Sequence, residues 1–342
     1  MSTIQRHRRA AALWAVTAAV AAGLVLAAVI PGVRLPLIVV QVGFMLLHGT
    51  RRYGGRAMGV FTVAGLVISN ILENLSIRTG FPFGHYHYTG GGKIFLVPWF
   101  IGPAYLATGY LAWIVATVLL GEVRRNSPWL TTIGTPVIGA FAMTVWDLSL
   151  DPGASTISHR WIWEHGGGFF GVPLANFLGW TFTVYLFLQV FALYVRSRGP
   201  LPAPEPDRAA ASDLQAVLLY GATALSFFTG LFSGTRTVVT DAAGLTWRTG
   251  DLYETSALVT VYGMVFLTVL ALLRIAQQHT AAPPPTQPVE ATQQAEPAPF
   301  RLAIAAHRPG ARDAARPASA VSRAWSRRCQ SIALLGIPHG LQ

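Results

Sequence analysis

The chain has 342 residues, 52% of them hydrophobic and only 11% charged, with a formal net charge of +11 and a mean hydropathy of +0.46. Soluble domains carry roughly 25% charged residues, so a soluble globular protein is excluded and long uncharged apolar runs point to a polytopic helical membrane protein. The arginines lie mainly in loops and tails, which assigns the positive charge to topology and lipid contact and not to nucleic acid.

The first apolar run, residues 10–30, follows Arg6, Arg8 and Arg9. It is longer than the apolar region of a signal peptide, about 7–15 residues, and is expected to span. A short second run, 35–47, lies between Pro31, Pro36 and the basic loop of Arg51, Arg52 and Arg56. A third, 57–72, ends in the polar cluster Asn70, Glu73 and Asn74, and the loop SIRTGFPFGHYHYTGGGK follows. The fourth run, 94–120, is entered through Pro98 and Pro103 and followed by Arg124 and Arg125. The fifth, 130–150, carries Asp147 and is expected to stop at Asp151-Pro152, because a residue before proline disfavours the helical region. The sixth, 172–195, is closed by Arg196, Arg198 and the linker GPLPAPEPDR, and the seventh and eighth cover 214–232 and 257–275.

The expected fold is therefore an all-α membrane bundle of about eight helices over residues 10–276, or seven if the short second run does not cross. Residues 277–342 are rich in Ala, Pro, Gln and Arg; such a composition cannot bury enough apolar surface to fold alone, so a disordered tail is expected. The single cysteine, Cys329, excludes an intramolecular disulfide and a cysteine-based metal site. Arginine-rich loops alternate with arginine-poor ones. The positive-inside rule then makes the protein a multi-pass cell-membrane protein with segment 1–9 and the carboxyl terminus cytoplasmic. The loops 73–93, 147–170 and 241–254 fall together on the other side.

Only fourteen acidic residues exist, and Glu73, Asp147, Asp151 and Glu164 sit in or beside apolar segments. A carboxylate at the bilayer centre costs about 2.5–3.5 kcal/mol on insertion scales, so such groups usually face a bundle interior and have a task. Asp147 and Asp151 are four apart and share a helical face with Thr144. Two carboxylates in a poorly solvated place resist ionising together, which keeps one of them as an acid. Glu73 lies on a face with Asn70 and Asn74, which can hydrogen-bond it. Trp161, Glu164 and His165 would line one side of a helical turn over 161–165.

Each residue also has a plainer structural reading. Asp147 can be an interfacial helix-end residue, Asp151-Pro152 a turn, and Arg160 with Glu164 a weak helical ion pair. His85 and His87 can be interfacial, and Trp99, Trp161 and Trp163 can form an aromatic belt. The triple glycines 90–92 and 166–168 read as flexible turns, and neither ends as a phosphate loop does. What favours a site is that these groups converge on one side of the membrane.

The segments ENLSIRTGFPFGHYHYT, WDLSLDP and HRWIWEHGGGFFGVPLANFLGW resemble the blocks of the CruF-type integral-membrane carotenoid hydratases, over about residues 60–275. That family includes bisanhydrobacterioruberin hydratases and γ-carotenoid 1′,2′-hydratases. The resemblance implies addition of water across the terminal 1,2 double bond of an acyclic carotenoid, giving a tertiary alcohol with no cofactor and no metal. The partners it implies are the carotenoid, water, the lipid bilayer and other carotenoid-pathway enzymes, with no nucleic acid.

Hydrating a trisubstituted alkene needs a proton on one carbon, a tertiary cation on the other, and water to capture it. A neutral carboxylic acid is a plausible donor, and the faces of Tyr86, Trp161, Trp163 and Phe169 can stabilise the cation. Asp147 or Glu73 is the expected acid, and Asp151, Glu164 or His165 the group that handles water. Asn74, His85, His87, His159, Arg160 and Asn176 complete the expected substrate site. Rival readings are a metal-dependent oxygenase or desaturase using His85, His87, His159 and His165, a prenyltransferase using Asp147 and Asp151, and a transporter.

Overall fold

The structure, a computed structural model, describes residues 34–198 and 206–280 together with parts of 11–23. The first expected helix, 10–30, lies largely outside the described residues; segment 1–9, Cys329 and the tail beyond residue 280 lie wholly outside them. The helices are α1 (Arg34–Tyr53), α2 (Gly55–Thr79), α3 (Ile101–Leu120), α4 (Trp129–Asp151), α5 (Leu174–Ser197), α6 (Pro206–Leu225), the short α7 (Thr229–Ser233), α8 (Thr249–Val259) and α9 (Phe266–Thr280). The last helix thus runs three residues past the expected start of the tail at 277.

Among the described residues six stretches are long and apolar enough to cross a membrane: Gly55–Thr79, Ile101–Leu120, Trp129–Ile157, Leu174–Ser197, Ala210–Ser233 and Thr249–Gln278. These answer to the third through eighth expected runs. The second run is a helix too, but Arg34, Gln41, His48 and Arg51 dilute α1 and it is not among the six. The chain is a polytopic helical membrane protein.

α3 is the centre of the bundle, buried at every position from Tyr105 to Val118. A helix that is apolar all round can be satisfied only by such burial. Outward-facing side chains are large and apolar as well, including Val63 and Val67 on α2, Phe141 on α4, Leu178 on α5 and Leu273 on α9. Water would not tolerate so continuous an apolar surface, whereas hydrocarbon matches it. Small residues let the helices approach: a Cβ on Gly139 of α4 would stand 2.7 Å from Leu188 Cδ1 of α5, the close packing that membrane helices rely on.

Prolines are handled where they fall. Pro136 inside α4 leaves the Thr132 carbonyl without its helical donor, and Gln189 Nε2 of α5 approaches that oxygen at 3.4 Å. Pro152 does not end the helix as expected. Asp151 keeps helical dihedrals, and Pro152–Ile157 continue as a π-helical turn. The wider turn absorbs the missing N–H, and Ser155 Oγ donates to the Asp151 carbonyl at 2.8 Å.

Successive spans alternate in direction, so the connections 80–100, 158–173 and 234–248 gather at one end of the bundle. There β1 (Tyr86–Tyr88) pairs antiparallel with β4 (Trp161–Trp163), β2 (Lys93–Ile94) with β3 (Val97–Pro98), and β5 (Val238–Thr240) with β6 (Thr246–Arg248). At the other end Arg52 pairs with Glu122 at 3.0 Å and with Asp213, while His48 Nε2 lies 2.7 Å from Ser212 Oγ. These contacts clamp α1 to the α3–α4 connection and to α6.

Candidate functional site

Glu73 stands near the end of α2 and is buried. The helix stops at Gly80, whose φ of 80° is left-handed and costs glycine nothing. The chain then turns back so that β1 passes beside Glu73. Strand alternation puts Tyr86 and Tyr88 inward and His87 outward. Both inward phenols donate to Glu73 Oε2, Tyr88 at 2.9 Å, and Tyr105 of α3 donates to Oε1 at 2.9 Å. Burial, and after it the Glu73 carboxylate, push the Tyr86 and Tyr88 hydroxyls well above their ordinary value of 10.0, so both remain donors.

The register of β1 on β4 sets Tyr86 opposite Trp163 and Tyr88 opposite Trp161. Their indole N–H groups donate to Asp151 Oδ1, at 2.8 Å from Trp161 and 3.4 Å from Trp163. The two strands of this small sheet therefore carry the donors, phenols to Glu73 from β1 and indoles to Asp151 from β4. Asp147 lies one helical turn before Asp151. Asn176, in the first turn of α5, donates from one Nδ2 to Asp147 Oδ2 at 2.9 Å and to Asp151 Oδ2 at 2.6 Å. All four side chains, Glu73, Asp147, Asp151 and Asn176, are at most 3% exposed.

Glu73, Asp147, Asp151, Asn176, Tyr86, Arg160, Trp161 and Trp163 line one cavity of about 260 Å3. The rest of its wall is mainly aromatic and aliphatic, with Gln41, Thr108, Thr223 and Ser226 as its polar members. Tyr105 stacks on Trp180 with centroids 4.4 Å apart and planes within 3°, and Trp146 leans on Trp180 at 6.1 Å. Phe83, Phe227 and Tyr88 close other sides.

Other expected site residues lie elsewhere. The 161–165 segment is a strand and a turn, so the helical face expected for Trp161, Glu164 and His165 does not form: alternation sends the tryptophans to the cavity and leaves Glu164 and His165 exposed. Glu164 meets His87 across the strands at 3.4 Å, both half-exposed. His85 and His165 face each other at 5.6 Å in a separate, shallower pocket beside Gly80 and Pro173. His159 is exposed, and its carbonyl accepts from Thr89 Oγ1 at 2.6 Å. Phe169 packs on Phe177. Asn74 does not bond Glu73; it donates to Asn70 and accepts Leu96 N at 3.0 Å, tying α2 to the β2–β3 turn.

The two glycine triplets also differ. Gly90 and Gly91 have open space around them, but a Cβ on Gly167 would lie 2.2 Å from backbone atoms of Val172 and Pro173. The second triplet is a close-packed turn that brings the chain back to α5. Among the described residues no three His, Cys, Asp or Glu side chains are grouped to hold a metal ion.

Sequence reasoning missed Tyr88, Tyr105, Trp146, Trp180 and Phe227. Tyr88 was accessible from strand alternation with Tyr86. The others lie in apolar helices where an aromatic side chain is unremarked until its neighbours are known.

Fold and cavity define a membrane-embedded helical bundle whose buried carboxylates, at one end, face an apolar aromatic pocket. The chain belongs to the family described as carotenoid biosynthesis protein, whose sequence profile matches residues 33–248 and so takes in the whole carboxylate cluster. It is similar to the bisanhydrobacterioruberin hydratase of Haloarcula japonica, with 34% identity over 132 residues that are 36% of this chain and 41% of that protein. The chain thus matches about two-fifths of the length of that relative. No solved structure matches the chain.

Proposed function

We propose that this protein hydrates the terminal 1,2 double bond of an acyclic carotenoid to a tertiary alcohol. One observation carries the reading: three buried carboxylates, Glu73, Asp147 and Asp151, open onto a cavity whose wall is mainly aromatic and aliphatic. An apolar cavity suits a hydrocarbon end group. Carboxyl groups in it supply what the alkene lacks, a proton and an acceptor for the proton that water gives up. Trp146, Trp180 and Tyr105 offer π faces for the cation, each worth roughly 0.5–2 kcal/mol. The likeness to a protein named as a hydratase supports the same chemistry.

The location fits the substrate. The cavity sits where the long loops gather, toward one end of the spans, so the polyene can extend through the ~30 Å hydrocarbon layer while its end meets water near the interface. Arg51, Arg52, Arg56, Arg124, Arg125, Arg196 and Arg198 gather at the opposite end. The positive-inside rule makes that end cytoplasmic.

The test is expression in a host that accumulates an acyclic carotenoid, grown with 18O-labelled water. The expected product is heavier than its precursor by one labelled water. Pigment that stays unchanged in cells holding folded protein rejects the reading.

A further inference from the structure

Resting on the hydratase reading, we propose that the three carboxylates have separate tasks: Asp147 donates the proton to the alkene, Glu73 stays an anion that stabilises the cation, and Asp151 receives the proton of the attacking water. The assignment comes from counting donors on each carboxyl group. Glu73 accepts three phenolic O–H groups across its two oxygens, from Tyr86, Tyr88 and Tyr105. Asp151 accepts two indole N–H groups on Oδ1 and the Asn176 amide on Oδ2. Indole N–H can only donate, so protonating Asp151 Oδ1 would set donor against donor. Three hydrogen bonds from donors favour the charged form of a carboxyl group.

Asp147 differs. It is 1% exposed, yet accepts a single bond, from Asn176 to Oδ2. Its Oδ1 has no hydrogen-bond partner among the described residues and is not among the enclosed unpaired atoms, so it opens onto the cavity that Asp147 lines. Of the three groups it alone has an oxygen left to carry a hydrogen toward a ligand that offers none of its own. Asn176 keeps the pair in register, because its two N–H bonds go one to each aspartate.

The steps balance. The alkene π pair takes the Asp147 proton to form a C–H bond at the less substituted carbon, leaving a tertiary cation at its neighbour. Water forms the C–O bond and its proton goes to the free lone pair of Asp151 Oδ2, which accepts only from Asn176. Because Oδ2 of both aspartates surrounds one Asn176 nitrogen, a single bridging water can return the proton to Asp147. The sum is alkene plus water, with no oxidant or reductant. The three phenols also occupy three of about four Glu73 lone-pair sites, which blunts its tendency to capture the cation as an ester.

The experiment uses the full-length protein in lipid nanodiscs. Turnover is measured with an acyclic carotenoid. Binding is measured with a tertiary-amine analogue of the end group, protonated at neutral pH, and with its neutral hydrocarbon counterpart. Asp147→Asn is expected to lower turnover about 100-fold or more while binding both analogues within about twofold of wild type. Glu73→Gln is expected to lose about tenfold in affinity for the ammonium and none for the hydrocarbon. If Glu73→Gln fails to bind the hydrocarbon, Glu73→Asp replaces it, and the preference for the ammonium should persist. Asp147→Asn with near-normal turnover, or ammonium binding indifferent to the charge at position 73, overturns the assignment alone. A wild-type protein that forms no hydrated product overturns the hydratase reading itself.

Discussion

Asn176 and Asp151 are 25 residues apart in the chain, and Asn176 Nδ2 donates to Asp151 Oδ2 at 2.6 Å. The same nitrogen serves Asp147, so one amide at the start of α5 holds two carboxylates of α4 in a fixed relation. Replacing it removes donors from two buried acceptors. Asn176→Ala should cost about 1.5–3 kcal/mol of stability, the range for hydrogen bonds to charged groups. Asn176→Asp should cost more, because it puts a third acceptor where the donor stood. Thermal denaturation in detergent checks the order; an Asp variant as stable as the Ala variant contradicts it.

Tyr105 links the central helix to the site. Tyr105→Phe keeps the stack on Trp180 but deletes one donor to Glu73. A loss of about 1–3 kcal/mol is expected from the unmet acceptor, with turnover reduced and the fold retained. Far-UV circular dichroism and pigment analysis separate the two effects.

The inward phenols predict sensitivity to alkali. Tyr86 and Tyr88 ionise in the folded protein only well above the ordinary value of 10.0, first because they are buried and then because Glu73 faces them. A folded-state value above the unfolded one contributes stability that is complete below pH 10 and lost as pH rises beyond it. Stability should therefore fall above about pH 10, and Tyr88→Phe should lower that slope by about one proton. An unchanged slope would show that Tyr88 is not buried beside a carboxylate.

The clamp at the far end is a separate test of the fold. Burial works to raise Glu122, but Arg52 and Arg124 outweigh it and hold the carboxyl below its ordinary 4.5. A depressed folded value gives stability that is present above pH 4.5 and lost as pH falls through the lower value. Arg52→Met leaves Glu122 and Asp213 without their shared partner and should cost about 1.5–3 kcal/mol, the range for hydrogen bonds to charged groups, since the three side chains are only partly buried and Glu122 keeps Arg124. It should also reduce Glu122's share of the acid dependence, because only Arg124 then remains to hold the carboxyl down. Denaturation midpoints at pH 3.5 and pH 7 give both quantities.

Gly167→Ala should destabilise by about 1–3 kcal/mol or more through overpacking, because the new Cβ meets backbone and not a movable side chain. Gly91→Ala, with open space around it, should be near neutral. Equal effects at the two positions would remove the distinction between the triplets.

Much of this protein was legible in its sequence because one physical scale dominates it. The hydrocarbon layer demands apolar runs of a set length, so the third through eighth spans read directly from composition. The cost of a carboxylate in that layer singled out Glu73, Asp147, Asp151 and Glu164, since so few acids exist in the chain; the first three are buried and Glu164 is exposed. Helical spacing then put Asp147 and Asp151 on one face.

What the sequence could not decide was set by contacts between distant segments. The helical reading of 161–165 failed because three residues choose strand or helix by the partner available, and β1 was that partner. The stop at Asp151-Pro152 failed because a π turn relieves the proline without ending the span. Tyr105, Trp146 and Trp180 carry no local mark; only packing of α3 against α5 and α4 turns them into the wall of a cavity. The chain alone determined which groups are costly enough to need a purpose. Only the tertiary structure decided how many donors each of them receives, because hydrogen-bond partners are a property of neighbours in space.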